Sequence, residues 1–214
     1  MNVIRFYRAN EKPYGAFSNL FRRSVTFDGE TFPTSEHAYQ AGKPRRPEVR
    51  KWLMAAPSPA LLAVAAHGLY QWDIVPNWSR TKFDRMRGVL WAKFTQHSDL
   101  AELLLSTGDA LLVETASVDN PVNRLWGEVN GVGRNFLGQM LMEVRERLRA
   151  NSALLSGSTK ISSPGKDQRT AHARGEDRPV RHQASGVRKQ PPTQEKHREH
   201  RQMRNSSPQV FARR

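Results

Sequence analysis

The chain has no cysteine among its 214 residues. Disulfides, thiolate catalysis and cysteine zinc sites are therefore excluded, and a reducing compartment fits. No apolar run reaches the roughly 20 residues that a bilayer span needs, so no membrane partner is expected. The opening MNVIRFYRANEK contains no apolar h-region, so no secretory signal is expected and the chain reads as soluble and cytoplasmic. HExxH is absent, and the histidines at 37, 67 and 97 are scattered, so no metal is expected. A dinucleotide fingerprint is missing too, because Phe136 stands where the third glycine after Gly131 and Gly133 would be. No internal repeat is visible.

Residues 151–214 are also short of apolar residues. They hold one aromatic, Phe211, and few aliphatics beyond Leu154 and Leu155, with 14 Lys+Arg against 5 Asp+Glu. Such a segment buries too little apolar surface to offset the entropy of ordering, so a disordered basic tail is expected. Its net charge of +9, out of +14 for the whole chain, suits a polyanionic partner, nucleic acid above all. A solvated extension without a specific task fits equally, since charge alone carries no sequence information. Residues 1–150 hold all five Trp and all four Tyr, enough for one compact domain.

Within that domain, residues 3–8 read as a strand with Ile4 and Phe6 on one face. Residues 24–33 read as a hairpin turning at Asp28-Gly29. Thr34 is a plausible N-cap for a helix that must stop near Lys43, ahead of Pro44. Pro47 and Ser58-Pro59 open two further helices. Ser79 reads as the cap of a longer one reaching His97, with Phe83, Met86, Leu90 and Phe94 in one stripe. A short helix closes at Thr107-Gly108, and ALLVET at 110–115 reads as a buried strand. Residues 117–134 read as loop, and Asn135 as the cap of a final amphipathic helix. Strands first and last, with helices between, predict an α+β fold: one compact, mostly helical domain with a small β-sheet.

The richest chemistry lies in TSEHAYQAGK at 34–43. On one helix, Glu36, Gln40 and Lys43 at i, i+4 and i+7 fall within about 60° of one another around the axis. An acid, an amide and an amine on one face make half an active site; the same residues also serve as ordinary complements to the helix dipole. His37 fits either a site or a packing role. A second candidate is DNPVNRLWGEVNGVGRN at 119–135, with acids, Trp126, glycines and Arg134 ahead of a helix start. Backbone amides there suit phosphate, though a glycine-rich surface loop reads the same way. Trp91 lies one position off the apolar stripe, lining either a pocket or the edge of the core.

These pieces occur together, and in order, in one family. IRFY at 4–7, YGAFSNL at 14–20, TFPTSEHAYQAGK at 31–43, MRGVLWAKFTQH at 86–97, LLLSTGDALLVETA at 103–116 and WGEVNGVGRNFLGQMLMEVRERL at 126–148 resemble the NADAR domain, the family of YbiA-like N-glycosidases. The resemblance covers nearly all of residues 1–150 and none of the tail. It implies hydrolysis of a ribose–base N-glycosidic bond, on riboflavin biosynthesis intermediates or on ADP-ribosylated guanine, with no cofactor. The family's EHxxQxxK helix falls on Glu36, His37, Gln40 and Lys43, its FSN motif on Asn19, and its WG loop on Trp126 and Gly127. Its GxNxLG run falls on Gly133, Asn135, Leu137 and Gly138. Two departures are present. The Asp usual about three residues before WG is replaced by PVNR, leaving Asp119 as the nearest acid, and WG-acid-G reads Trp126-Gly127-Glu128-Val129.

The resemblance thus implies a catalytic set of Glu36, Lys43 and Asp119. Glu36 would stabilise charge on the ribose carbon or activate water, and Lys43 would hold phosphate or form a Schiff base with the opened sugar. Asp119 or Glu128 would orient ribose hydroxyls or assist the leaving base. Trp91 and Trp126 would stack on the base, and Arg134, Asn135 and the helix start would hold phosphate. The expected partners are a small ribosyl or ADP-ribosyl substrate and, through the tail, nucleic acid. A non-catalytic ADP-ribose or nucleic-acid binding module is the alternative.

Overall fold

A computed structural model describes residues 2–158. Strand β1 (Val3–Phe6) pairs in parallel with β4 (Leu111–Glu114), setting Ile4 opposite Leu112 and Phe6 opposite Glu114. The expected hairpin forms as β2 (Val25–Phe27) and β3 (Glu30–Phe32), with Asp28 and Gly29 both at positive φ in the turn. The α+β fold with small sheets and a helical majority is borne out.

Helix α1 (Ser35–Gln40) starts where expected, because the Thr34 side chain accepts from the His37 N–H. It stops at Gln40, three residues early, and Gly42 and Lys43 turn back on Tyr39 and Gln40. Helices α2 (Pro47–Met54) and α3 (Pro59–His67) both carry proline in the first turn, and Ser58 caps the second. Helix α4 (Trp78–Gln96) begins one residue before the expected Ser79 cap, with Asn77 in the left-handed region. Helix α5 (Ser98–Ser106) follows directly.

The expected loop at 117–134 is more ordered than its composition suggests. Asn120 caps a helix, α6 (Pro121–Trp126), by accepting from the Asn123 N–H at 2.8 Å. A short antiparallel pair follows, β5 (Glu128–Val129) and β6 (Val132–Gly133). The cap-then-proline signal recognised at Ser58 was present again at Asn120-Pro121. The last helix, α7 (Phe136–Ser158), runs past the expected boundary at 150. The remainder of the predicted tail lies outside the described residues.

The main core joins Ile4, Phe6, Phe17, Leu90, Phe94, Leu104, Leu112, Leu137, Met140, Leu141 and Val144, from both strands, α4, α5 and α7. The stripe predicted on α4 faces inward, but it shares that core with a lysine. Lys93 is fully buried and donates to the carbonyls of Ala16 at 2.6 Å and Ser18 at 3.0 Å. The rings of Phe21 and Phe94 lie 5.7 and 5.4 Å from its nitrogen. An unpaired buried ammonium costs several kcal/mol, and burial pushes the Lys93 amine down to about 7. These two bonds fix the turn (Tyr14–Phe17) that delivers Asn19 to the start of α1.

Candidate active site

Glu36 is buried in the first turn of α1, and its N–H donates to the Asn19 carbonyl at 3.0 Å. Its carboxylate accepts from Gln40 Nε2 at 2.8 Å, the i,i+4 contact expected from the spacing. Burial pushes the Glu36 carboxyl up to about 7, against the opposing pull of the Gln40 hydrogen bond and the Lys43 charge. Two polar atoms nearby, Gln40 Oε1 and Asn19 Oδ1, are buried without a partner among the described residues. Buried acceptors in that state favour a ligand that brings hydroxyl donors.

A second carboxyl, which the sequence reading passed over, interacts with this one. Glu114 ends β4, and burial first and the negative charge of Glu36 second push it up to about 8. Among the described residues nothing hydrogen-bonds its carboxyl. Its backbone is held firmly instead. Asn135, at φ +50, accepts the Glu114 N–H on Oδ1 at 3.0 Å and donates from Nδ2 to the Leu112 carbonyl at 2.8 Å. This use of Asn135 differs from the expected cap and phosphate contact. Its side chain is spent on β4, and its place in the site is to position Glu114.

Lys43 reaches the site by a different route from the one expected. It leaves the axis of α1 after Gln40, and its Nζ donates to the Ala66 carbonyl at the end of α3. Burial, then the positive charge of Lys82, holds the Lys43 amine below its ordinary value, with Glu36 opposing. Burial also lowers Lys82, whose nitrogen lies 5.0 Å over the Phe83 ring. Neither lysine has a carboxylate ion-pair partner among the described residues. Two such amines side by side suit a phosphate.

Aromatic rings form the wall beside the carboxyls. Tyr39 sits one turn beyond Glu36, whose charge, after burial, raises the phenol pKa. Trp78 and Trp126 lie 5.3 and 5.7 Å from its ring, and Phe83 lies 5.6 Å from Trp126. Trp126 thus stands against Tyr39, together with Trp78, which opens α4. Gly127 brings it there: a Cβ at this position would stand 2.5 Å from the Glu114 carbonyl oxygen. Thr115 bridges to Glu128, and Ala116 donates to the Glu128 carbonyl at 2.9 Å, so this loop lies along the end of β4.

Other expected residues are engaged elsewhere. Asp119 is exposed, and both its oxygens accept from Arg124 at 2.6 Å. The carboxyl whose titration senses Glu36 is Glu114. Trp91 carries the Arg147 guanidinium 4.0 Å over its ring, which ties it to α7. His37 Nδ1 bonds the Thr34 hydroxyl at 2.8 Å within the cap of α1. Arg134 lines an open depression of about 450 Å³ with Pro121, Arg124, Leu125, Val132 and Gly133. Among the described residues, no group of His, Asp and Glu has the makings of a metal site.

The pattern of the NADAR domain family matches residues 5–149. The chain belongs to the NADAR domain family. It is 40% identical over 147 residues to N-glycosidase YbiA of Shigella flexneri serotype 5b, covering 68% of this chain and 88% of that protein. It is 34% identical over 150 residues to the riboflavin biosynthesis protein VVA0006 of Vibrio vulnificus, covering 70% of this chain and 39% of that protein. The NMR structure of Escherichia coli YbiA superposes with a TM-score of 0.63 at 37% identity, over 71% of this chain and 88% of that one. No helix among the described residues is long and apolar enough to cross a membrane.

Proposed function

We propose that this NADAR protein hydrolyses the N-glycosidic bond between a ribose and a base. It is a hydrolase acting on N-glycosyl compounds. The observation that carries this reading is the pair of interacting carboxyls, Glu36 and Glu114, pushed to about 7 and about 8 beside an aromatic wall. Two coupled carboxyls that both titrate near neutrality can share one proton, which lets one act as acid and the other as base. Near neutral pH, Glu114 keeps its proton and Glu36 is partly ionised. As the C1′–N bond breaks, the Glu114 proton passes to the leaving nitrogen. Glu36 stabilises the positive charge developing on C1′ and takes a proton from the water whose oxygen bonds to that carbon.

The remaining residues supply binding. Tyr39, Trp78 and Trp126 offer ring faces and edges to the base, and Gln40 and Asn19 offer acceptors to the ribose hydroxyls. Lys43 and Lys82 hold a phosphate on the sugar. The substrate is either an intermediate of riboflavin biosynthesis, the process in the name of the Vibrio relative, or an ADP-ribosylated guanine. Lys82→Ala should raise KM for a phosphate-bearing substrate about tenfold with little change in kcat, the loss of one charge-assisted contact made equally in ground and transition states. Steady-state kinetics measures it; an unchanged KM would place the phosphate elsewhere.

The whole reading is tested by offering the purified chain both substrate classes and following free base and sugar phosphate. Release from at least one is expected. The dependence of kcat/KM on pH should be a narrow bell. It should rise as Glu36 ionises through about 7 and fall as Glu114 loses its proton through about 8. Binding of either compound by folded protein without any release would favour a non-catalytic module instead.

A further inference from the structure

Beyond the reaction pocket, the short 3-10 turn Gln71–Asp73 presents two aromatic rings to solvent. Tyr70 and Trp72 are 64% and 67% exposed, and they stack on each other at 4.6 Å with only 9° between their planes. The turn is rigidly built. Asp73 donates its N–H to the Tyr70 carbonyl at 2.9 Å, and its buried carboxylate holds Arg46 at 2.6 Å. Rings that merely filled space would face the core. These form a flat, pre-ordered stack whose outer faces are wet.

A cation-rich segment, in which Lys43 is buried and Arg46 and Arg50 are engaged by Asp73 and Glu30, pairs with this turn. Segment 43–52 carries Lys43, Arg45, Arg46, Arg50 and Lys51 against Glu48 alone. It runs alongside the turn: Pro44 bridges Ile74, Arg45 donates its N–H to the Asp73 carbonyl at 2.7 Å, and Val75 donates to the Lys43 carbonyl at 3.0 Å. Arg45 is exposed and has no ion-pair partner among the described residues. The stack is thus joined by backbone pairing to the lysine that borders Glu36.

We infer that Tyr70 and Trp72, with Arg45 beside them, form a binding site for single-stranded nucleic acid: an unpaired base stacks on the rings and Arg45 takes a backbone phosphate. Exposed aromatics flanked by cations are how sequence-tolerant single-strand sites are built, because every base has a ring face. The site lies next to the Lys43 edge of the pocket, so this surface would present a modified base carried on a strand. That extension rests on the hydrolase reading; the binding itself does not.

The test uses the full chain and a labelled oligothymidylate of about 12 nucleotides, within the span of one stacking groove. Anisotropy is read at about 0.2 M salt, where purely electrostatic binding by the basic C-terminal segment is weakened. Trp72→Ala and Tyr70→Ala should each weaken binding about tenfold, and Trp72→Phe should restore most of it. Arg45→Gln should reduce the salt dependence. Hydrolysis of a free ribosyl substrate should be unchanged in all of them. Native affinity in both alanine variants overturns the proposal and leaves the Glu36–Glu114 reading standing. An equal loss of free-substrate hydrolysis would put the rings inside the reaction pocket and overturn it as well. Self-association abolished by Trp72→Ala, with oligonucleotide affinity unchanged, would assign the face to a second copy of this chain.

Discussion

Glu36→Gln should lower kcat by at least about 10²-fold, the scale of general acid–base catalysis, while making the protein more stable at pH 8. The substitution keeps the size of the side chain and an oxygen for Gln40 Nε2, but removes the charge. Activity falls because nothing else can face the cationic sugar carbon and accept the water proton. Stability rises for a separate reason. The carboxyl is displaced from its ordinary 4.5 to about 7 on folding. Between those values the folded chain holds a proton that the unfolded chain has released. The unfolded state therefore binds fewer protons, and stability drops as pH climbs from 4.5 to about 7. At about 1.4 kcal/mol per unit, the penalty is on the order of 3 kcal/mol by pH 8. Gln does not titrate, so the variant should lose less of its melting temperature between pH 5 and pH 8 than the parent does. Glu114→Gln should share this stabilisation and abolish the alkaline limb of the activity profile. Near-normal turnover in folded Glu36→Gln would remove Glu36 from the mechanism, and equal melting at both pH values would show that its carboxyl is not strained by burial.

Much of this architecture was readable because its signals are local. A Thr cap, an Asp-Gly turn and prolines in first turns act within four residues, and each produced the element it announced. What depends on pairing across the chain was harder to see. ALLVET ends in a glutamate that looks like the outer end of a strand. Only parallel pairing with Phe6 and the clasp of Asn135, 21 residues on, turn it toward Glu36. Lys43 lies near Glu36, but not by the helical spacing that the sequence suggests. The helix that was to carry it stops at Gln40, and the amine arrives through a turn and a bond to α3. Lys93 sits on an apolar stripe where a lysine reads as a stray charge, and nothing in its neighbourhood shows that two carbonyls from 77 and 75 residues earlier will hold it. Asp119 is the nearest acid preceding Trp126 in the chain. A guanidinium five residues away in the same loop takes it first.

Gly127→Ala should cost more activity than any surface change while leaving a folded protein. The reason is a close approach of backbone to backbone, since φ at Gly127 is −136°, an ordinary extended value. A methyl here would lie 2.5 Å from the Glu114 carbonyl oxygen and 3.0 Å from its carbon. Both are main-chain atoms, so no side chain can swing aside. Either Trp126 and its loop back away from β4, or the end of β4 is pushed off its pairing with β1. The first movement withdraws the ring that packs on Tyr39; the second moves the Glu114 carboxyl away from Glu36. Overpacking of this kind costs about 1–3 kcal/mol, which a domain of this size can survive. A displacement near 1 Å at reacting groups costs about 10²-fold in rate. We therefore expect kcat to fall by about two orders of magnitude, a melting temperature lowered by several degrees, and an alkaline limb shifted to lower pH as Glu114 moves away from the negative charge of Glu36. Kinetics across pH, alongside thermal unfolding, separates these effects. A variant that melts lower yet keeps both rate and pH profile would mean that the loop bearing Trp126 contributes to stability alone, and that the two carboxyls work without it.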